Sequence, residues 1–190
     1  MAHVDLAMDA ALLEEAQAIR RCQAGDKEAF RFIVERYGNL MYGTAYQITR
    51  NHARAQELTQ DALVLAWRGI NSFQGGSLKA WLVRILTNRG ISLSRRREID
   101  AATLDDPDSP ITVADESQDP AAAAVMALER ERIRGAMETL PEEQRQVVTL
   151  RFFSELSVSE TAVALGIREG TVKSRLSRAL DRLREALAEG

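Results

Sequence analysis

Residues 157–184 read SVSETAVALGIREGTVKSRLSRALDRLR. Ser157 or Ser159 is placed to cap a short helix at its amino end, and Gly166 supplies the left-handed backbone conformation that ends it. A second helical pattern follows, with apolar residues at steps of three and four along one stripe. These residues are Val172, Leu176, Ala179, Leu180, Leu183 and Leu187. The stretch predicts two helices joined by a tight turn.

The second helix is cationic on the side opposite this stripe. Residues 168–184 contain six basic and two acidic residues, a local net charge of +4. A cationic helix with small polar residues at its start, after a glycine-containing turn, has the shape and charge to enter a DNA major groove. The candidate DNA-binding residues are Thr171, Lys173, Ser174, Arg175, Ser177, Arg178 and Arg182. The alternative is a solvated basic face on an ordinary helical hairpin.

The amino-acid sequence of this region resembles region 4 of bacterial sigma factors, most closely the extracytoplasmic-function (ECF) group. The matching segments are LPEEQR at 140–145, LRF at 150–152, GTVKSRL at 170–176 and RLR at 182–184. The resemblance implies that the second helix reads the minus-35 promoter element. Arg168 is a departure, because the family more often has a small or capping residue there.

The outward residues of this helix fall into two groups with different expected contacts. Those that point away from the apolar stripe are expected to reach base edges: Ser174, Ser177 and Arg178. Those at the flanks of the stripe are expected to reach phosphates: Lys173, Arg175 and Arg182.

Length and composition favour a small helical protein. The 190 residues leave room for one medium domain or two small ones. Hydrophobic residues make up 45% of the chain and aromatic residues only 5%, which suits helices better than sheets. The net charge of −3 hides two opposite runs. Residues 79–97 contain six basic residues and no acidic one, whereas residues 98–119 contain eight acidic residues and no basic one.

The sequence offers no set of residues for catalysis or for binding a metal or other cofactor. Cys22 has no second cysteine to pair with, and only His3 and His52 are available beside it, too few ligands for a zinc site. No nucleophile, base and orienting group occur together, so an enzyme is not predicted. No signal peptide is visible, and no apolar run approaches the roughly 20 residues of a membrane span. We therefore expect a cytoplasmic chain without membrane insertion.

Helical patterns fill the first half of the chain. After about ten residues that are expected to fray, a helix is predicted up to Gly25, and Asp26 can cap the next one. Gly38 is expected to stop or interrupt that helix, with a further segment at 40–48. Asn51 begins another helix, whose apolar stripe is Ala55, Leu58, Ala62, Leu65 and Ala66.

The polar face of that last helix resembles sigma region 2.2. The similarity lies in ELTQDA at 57–62 and AWR at 66–68. In the family this helix binds the clamp coiled coil of the largest RNA polymerase subunit. The resemblance therefore makes Glu57, Gln60 and Asp61 candidate polymerase contacts, with a solvated surface as the alternative.

A loop at 70–77, broken by Gly75 and Gly76, precedes a cationic helix that Ser77 can cap. Its buried side is predicted to carry Leu78, Leu82, Ile85, Leu86 and Leu93. Gly90 weakens this helix by about 1 kcal/mol relative to alanine. Arg89 falls towards the apolar side unless the helix ends or bends there. A basic run without acidic residues favours binding to a polyanion.

The segment WLVRILTN at 81–88 is similar to sigma regions 2.3 and 2.4. The resemblance implies that the preceding loop accepts a flipped base of the nontemplate strand and that the helix contacts the minus-10 element. Single-strand recognition requires a basic surface with places for bases to stack or insert. The candidate residues are Phe73, Gly75, Ser77, Lys79, Trp81, Arg84, Asn88 and Arg95. Ser92 stands where the family commonly has aspartate.

The acidic stretch 98–124 contains three of the four prolines and is predicted to be a flexible linker, because it cannot bury enough apolar surface to fold alone. In the family the corresponding segment runs through basic channels of the polymerase. From Ala122 a helical pattern resumes with Val125, Met126, Ile133 and Met137, and Pro141 starts another helix. Phe152 and Phe153 are expected in the core, or else at the flap of the second-largest polymerase subunit.

Together these features predict an all-α protein of two small domains. Residues 1–97 form sigma region 2, residues 98–124 the linker, and residues 125–190 the region 4 helix-turn-helix. The resemblance implies a sigma factor that binds core RNA polymerase and promoter DNA and is regulated by an anti-sigma factor. Two alternatives stay open: a stand-alone helix-turn-helix repressor or activator with an N-terminal sensing or dimerising domain, and a helical adaptor for other proteins.

Overall fold

A computed structural model describes the backbone of residues 2–100 and 120–188 and the side chains of residues 12–90 and 125–188. Within these ranges the chain forms helices and no strand, so the all-α prediction is confirmed. The chain divides into two compact units. The helices of the first are α1 (Ala2–Gln23), α2 (Lys27–Thr49), α3 (His52–Gly69), a 3₁₀ turn (Ile70–Ser72) and α4 (Leu78–Asp100). Those of the second are mainly α5 (Pro120–Glu138), α6 (Glu142–Val148), a π-helical turn (Thr149–Phe153), α7 (Val158–Leu165) and α8 (Glu169–Ala188).

Helix starts in the first unit follow the capping signals in the sequence. The Asp26 carboxylate accepts hydrogen bonds from the amides of Glu28 at 3.0 Å and Ala29 at 3.3 Å. Its other oxygen binds the Arg21 guanidinium, which holds the pKa of the Asp26 carboxyl below its usual value. Asn51 accepts from the amide of Arg54 at 2.9 Å. Both predicted helix starts are confirmed, because a cap satisfies amides that the helix itself leaves unpaired.

Two predictions about helix limits in this unit are wrong. α1 begins at Ala2 rather than after a frayed segment of ten residues. α2 runs unbroken through Gly38. A glycine inside a helix costs about 1 kcal/mol. Ile33 and Met41, on either side of Gly38, are fully buried, and each contributes about 1.5–3 kcal/mol by burial, which outweighs that cost.

The core of the first unit lies where α2, α3 and α4 pack together. Ile33, Met41, Leu58, Leu82 and Leu86 are among its fully buried side chains. α4 is continuous through Gly90, which is buried. A β-carbon at Gly90 would lie 3.4 Å from a methyl group of Ile48 on α2 and 3.4 Å from one of Leu58 on α3. The glycine predicted to weaken α4 is therefore the point at which this helix approaches both neighbours closely.

α1 is joined to α2 by a polar contact. The Tyr37 hydroxyl donates a hydrogen bond to the Glu15 carboxylate, and the Arg36 guanidinium lies 3.5 Å from the same carboxylate. Burial, and then this hydrogen bond, raise the pKa of Tyr37 to about 12. Cys22, near the end of α1, is a buried free thiol whose pKa is raised by burial. The Tyr37, Glu15 and Arg36 side chains hold α1 against α2, and Cys22 is part of the buried core.

The second unit packs α5 and α6 against α8 around Leu140, Val148 and Ala179. Both ends of α7 have the predicted chemistry. The Ser157 hydroxyl accepts from the Glu160 amide at 3.1 Å, while the Glu160 carboxylate accepts from the Ser157 amide at 2.7 Å. This reciprocal pair is a capping box. Gly166 has φ +65°, which confirms its predicted role at the end of α7.

Several apolar residues predicted to be buried are exposed instead. They are Leu65 of α3, Val125, Met126 and Ile133 of α5, Leu180 of α8, and both Phe152 and Phe153. Most lie at the edge of an apolar stripe, where a small rotation of the helix decides between core and solvent. The two phenylalanines lie in the π-helical turn, whose extra residue per turn shifts the register that an α-helical pattern assumes.

Candidate nucleic-acid interface

The outward face of α8 presents several of the predicted DNA-binding residues to solvent. Lys173, Ser177, Arg178 and Arg182 are exposed, and Thr171 and Ser174 are partly buried. In the described part of the chain, Lys173, Arg178 and Arg182 form no ion pair, so their charges are available to an external anion. The Ser174 hydroxyl donates to the carbonyl of Thr171 at 3.1 Å, which leaves its lone pairs free to accept.

Arg175 differs from the other cations of α8. Its Nη2 atom lies 2.6 Å from a carboxylate oxygen of Glu143 on α6. Only 22% of the Arg175 side chain is exposed. Arg175 therefore ties α8 to α6 in this structure, and a phosphate contact by it requires this ion pair to open.

The loop before α4 has an exposed tip, and the residue at its start, Phe73, is buried. Phe73 is only 8% exposed, and its ring centroid lies 5.5 Å from that of Trp81. Gly75 has φ +108° and Gly76 has φ +87°, conformations that favour glycine, and both are exposed. The Ser77 hydroxyl accepts from the amide of Ala80 at 3.2 Å, which confirms Ser77 as the cap of α4.

The structure does not bring all the predicted minus-10 residues to one open surface. Arg84 and Asn88, one helical turn apart, are exposed on α4, while Lys79 and Trp81 are partly buried. The side chain of Arg95 lies outside the described residues. Because the Phe73 ring packs against Trp81, we assign it a supporting position rather than a surface for base stacking.

A residue that sequence reasoning missed holds this loop. The side-chain amide nitrogen of Gln23, at the end of α1, donates to the carbonyl oxygens of Ile70 at 3.2 Å and Phe73 at 3.0 Å. The partners are separated by about fifty positions in sequence, and a partly buried glutamine at a helix end has no pattern of its own. No local signal pointed to this contact.

The three predicted polymerase contacts on α3 lie on one face of the helix. Glu57 and Gln60 are exposed, and Asp61 is partly exposed. The face continues to Val64, which lies four positions after Gln60 and is 48% exposed. Sequence reasoning missed Val64, although its spacing from Gln60 and Asp61 places it on their side of the helix.

Asp61 also connects this face to α4. One of its carboxylate oxygens accepts from two guanidinium nitrogens of Arg89, at 2.9 and 2.7 Å. Arg89, which the sequence placed awkwardly near the apolar side of α4, is therefore accommodated by a carboxylate on the neighbouring helix. Side-chain exposures of 33% and 39% place this pair at the rim of the core.

Phe152 and Phe153 form an adjacent exposed aromatic pair in the second unit, 59% and 52% exposed. The prediction that they belong to the core is wrong. Adjacent exposed aromatic side chains are characteristic of surfaces that bind other proteins.

Over the ranges with placed side chains, no cluster of three or more histidine, cysteine, aspartate or glutamate residues is arranged to hold a metal ion. None of the described helices is both long and apolar enough to cross a membrane.

Comparison with known proteins agrees with this arrangement. Residues 33–98 match the family described as Sigma-70 region 2, and residues 130–183 match Sigma-70, region 4. The RNA polymerase sigma-H factor of Pseudomonas aeruginosa is 31% identical over 92% of this chain and 94% of that protein. The ECF RNA polymerase sigma factor SigM of Mycobacterium tuberculosis is 32% identical over 91% of this chain and 84% of that protein. The sigma factor RpoE of Bartonella quintana, solved with the anti-sigma factor NepR, has a TM-score of 0.67 and 30% identity over 84% of this chain and 96% of that chain.

An all-α chain that carries both sigma-70 regions in this order is a bacterial transcription initiation factor. Within that class, the chain belongs to the extracytoplasmic-function group of RNA polymerase sigma factors. It directs promoter-specific transcription initiation, and the predicted family is confirmed.

Proposed function

We propose a division of labour in which residues 1–97 bind core polymerase and recognise the minus-10 element, and residues 125–190 recognise the minus-35 element. The observation that carries this proposal is the unpaired cationic face of α8, at Lys173, Arg178 and Arg182, within the segment that matches region 4. Residues 98–124 would be the acidic linker; its two ends are helical, at 98–100 in α4 and at 120–124 in α5, and residues 101–119 lie outside the described part of the chain.

The polymerase face of the first unit is proposed to consist of Glu57, Gln60, Asp61 and Val64 on α3. An exposed apolar side chain among polar ones is the composition expected at a protein interface, where a desolvated centre is surrounded by a polar rim. The clamp of the largest polymerase subunit is the proposed partner. Phe152 and Phe153 are proposed to bind the flap of the second-largest subunit, because both rings are exposed and unused by the core.

Minus-10 recognition is proposed for the loop tip at Gly75 and Ser77 together with Arg84 and Asn88 of α4. Phe73 and Trp81 would support the loop from beneath, and Lys79 and Arg95 would add positive charge along the nontemplate strand. Support comes from the exposed tip, the exposed positions one turn apart on α4, and a run of basic residues without acidic ones.

An anti-sigma factor is the proposed regulatory partner, since the RpoE structure that resembles this chain contains one. The chain would act in the cytoplasm, where core polymerase and promoters are found, and would catalyse no reaction itself. The test is reconstitution: the purified chain should co-elute with core polymerase and allow initiation at specific promoters. Failure of core polymerase plus this chain to select any promoter would contradict the proposal.

Val64→Asp should weaken binding to core polymerase at least tenfold, because an unpaired carboxylate would be buried at the centre of the interface. Val64 is exposed in the free protein, so folding should be unaffected. Titration of labelled core polymerase measures the affinity. Val34→Asp, at an exposed valine on α2, is the matched control. Equal losses for both variants would show that the polymerase face has been placed wrongly.

A charge swap between Asp61 and Arg89 separates two roles of Asp61. If Asp61 contacts the polymerase directly, Asp61→Arg should lower core affinity, and adding Arg89→Asp should restore the ion pair without restoring that affinity. The pair itself should contribute only about 0–1 kcal/mol to stability, because it is partly solvated. Core affinity and thermal melting are measured on both single variants and on the swap. Recovery of core affinity in the swap would mean that Asp61 acts through Arg89.

A further inference from the structure

We infer that Gln23 is a positioning residue for minus-10 recognition, which it supports from α1 without touching DNA. The inference rests on the proposed function of the loop at 73–77. It concerns a residue that lies outside both segments matching the sigma-70 family descriptions, since the region 2 match begins at residue 33.

Both hydrogens of the Gln23 side-chain amide form hydrogen bonds. The Gln23 nitrogen donates to the carbonyl of Ile70, where the 3₁₀ turn begins, and to the carbonyl of Phe73, just after it ends. The Phe73 amide also donates to the Ile70 carbonyl at 3.1 Å. Gln23 therefore fixes both ends of the turn that leads into the loop.

The chain beyond this turn has few restraints of its own. Gln74, Gly75, Gly76 and Ser77 are all exposed, and a β-carbon added at either glycine would meet nothing within 4 Å. Two consecutive glycines have the greatest backbone freedom of any dipeptide. The loop tip is therefore oriented by its ends: Ser77 at the start of α4, and Phe73 at the point that Gln23 holds.

Ordering such a loop before a base arrives reduces the conformational entropy that binding must overcome. Loss of Gln23 should thus weaken recognition of the inserted base, while the apolar packing of Phe73 on Trp81 and the core of the unit stay in place. The effect should be specific to base discrimination, because Gln23 belongs to neither the α3 face nor the cationic side of α4.

The experiment uses holoenzyme reconstituted from core polymerase and the full chain. The probes are fork-junction DNAs that carry a promoter selected by this holoenzyme, with either the natural nontemplate base or an abasic site at each minus-10 position. The measured quantity is the ratio of affinities for the two probes. Gln23→Met removes the donors at nearly constant shape, Gln23→Lys keeps donors within reach, and Gln17→Met alters an exposed glutamine on the same helix.

Gln23→Met should reduce the base-to-abasic ratio about fivefold to tenfold at one position, the size expected if about half of the free energy of the two lost hydrogen bonds orders the loop. Core affinity should stay near that of the unaltered protein, and the melting temperature should fall by only a few degrees, because the two hydrogen bonds also stabilise the protein without DNA. Gln23→Lys should recover most of the ratio, and Gln17→Met should leave it unchanged.

Two results would overturn the inference. One is an unchanged ratio in Gln23→Met. The other is a reduced ratio accompanied by an equal fold loss of core affinity, which would make Gln23 merely structural. If the unaltered holoenzyme itself shows no base-to-abasic discrimination at any minus-10 position, the assignment of the loop fails, and the role of Gln23 fails with it.

Discussion

Replacing Gly90 with leucine is expected to lower the free energy of unfolding of the first unit by about 1–3 kcal/mol, the usual cost of overpacking a filled core. A β-carbon at this position already lies 3.4 Å from methyl groups of Ile48 and Leu58. The remaining three carbons of a leucine side chain would have to displace α4 from α2 and α3. Gly90→Leu should also reduce minus-10 recognition, because α4 carries Arg84 and Asn88.

Two controls isolate the packing effect. Gly90→Ala adds only the β-carbon at ordinary contact distance and gains up to about 1 kcal/mol of helix propensity, so it should be neutral or stabilising. Gly38→Leu, at a partly exposed glycine of α2 where an added β-carbon would meet nothing closer than 4.0 Å, should not destabilise the first unit. Trp67 and Trp81, the two tryptophans of the chain, both lie in the first unit, so denaturant unfolding followed by their fluorescence reports on that unit. A Gly90→Leu variant as stable as the Gly90→Ala variant would contradict the close approach of the three helices.

Local signals explain why helix starts could be predicted from the sequence. Asp26, Asn51, Ser77 and Ser157 each cap the helix for which they were proposed, because a cap and its amides are at most three residues apart. The effects of the two interior glycines were harder to predict. Gly38 and Gly90 have similar local costs, but the outcome in each case depends on side chains from other helices, which a single-sequence pattern does not contain.

The difference between local signals and contacts with other helices also explains which features of the candidate sites could be predicted. The exposure of Arg178 and Arg182 follows from the helical period of α8 alone. The partners of Arg175 and Arg89 lie on other helices, at Glu143 and Asp61, so their ion pairs could not be predicted. The exposure of the phenylalanine pair depends on the π-helical turn, and the role of Gln23 depends on a contact across about fifty residues.

In α8, Arg178→Ala and Arg182→Ala should have different effects on DNA binding. Arg178→Ala should change the preference among base pairs, and Arg182→Ala should change the salt dependence of the affinity. Arg178 is exposed on the outward face, and a bidentate contact with a guanine edge would give it about 1–3 kcal/mol of discrimination. Its loss should weaken binding to the preferred minus-35 sequence and relax the preference at one base pair. Arg182 lies further along the helix at the flank. Its loss should weaken all sequences alike and reduce the slope of log affinity against log salt by about 1.

The measurement is holoenzyme affinity for a set of single-base minus-35 variants at several salt concentrations. Arg184→Ala provides a control, because that guanidinium already pairs with Asp181 at 2.9 Å, so a smaller change in salt slope is expected than for Arg182→Ala. Affinity alone cannot separate a base contact from a phosphate contact, since both losses weaken binding, but the base preference and the salt slope respond to different physical terms. If Arg178→Ala weakened every variant equally and left the preference intact, α8 would grip phosphates through Arg178, and the base-reading residues would have to be sought nearer its amino end, at Thr171 and Ser174.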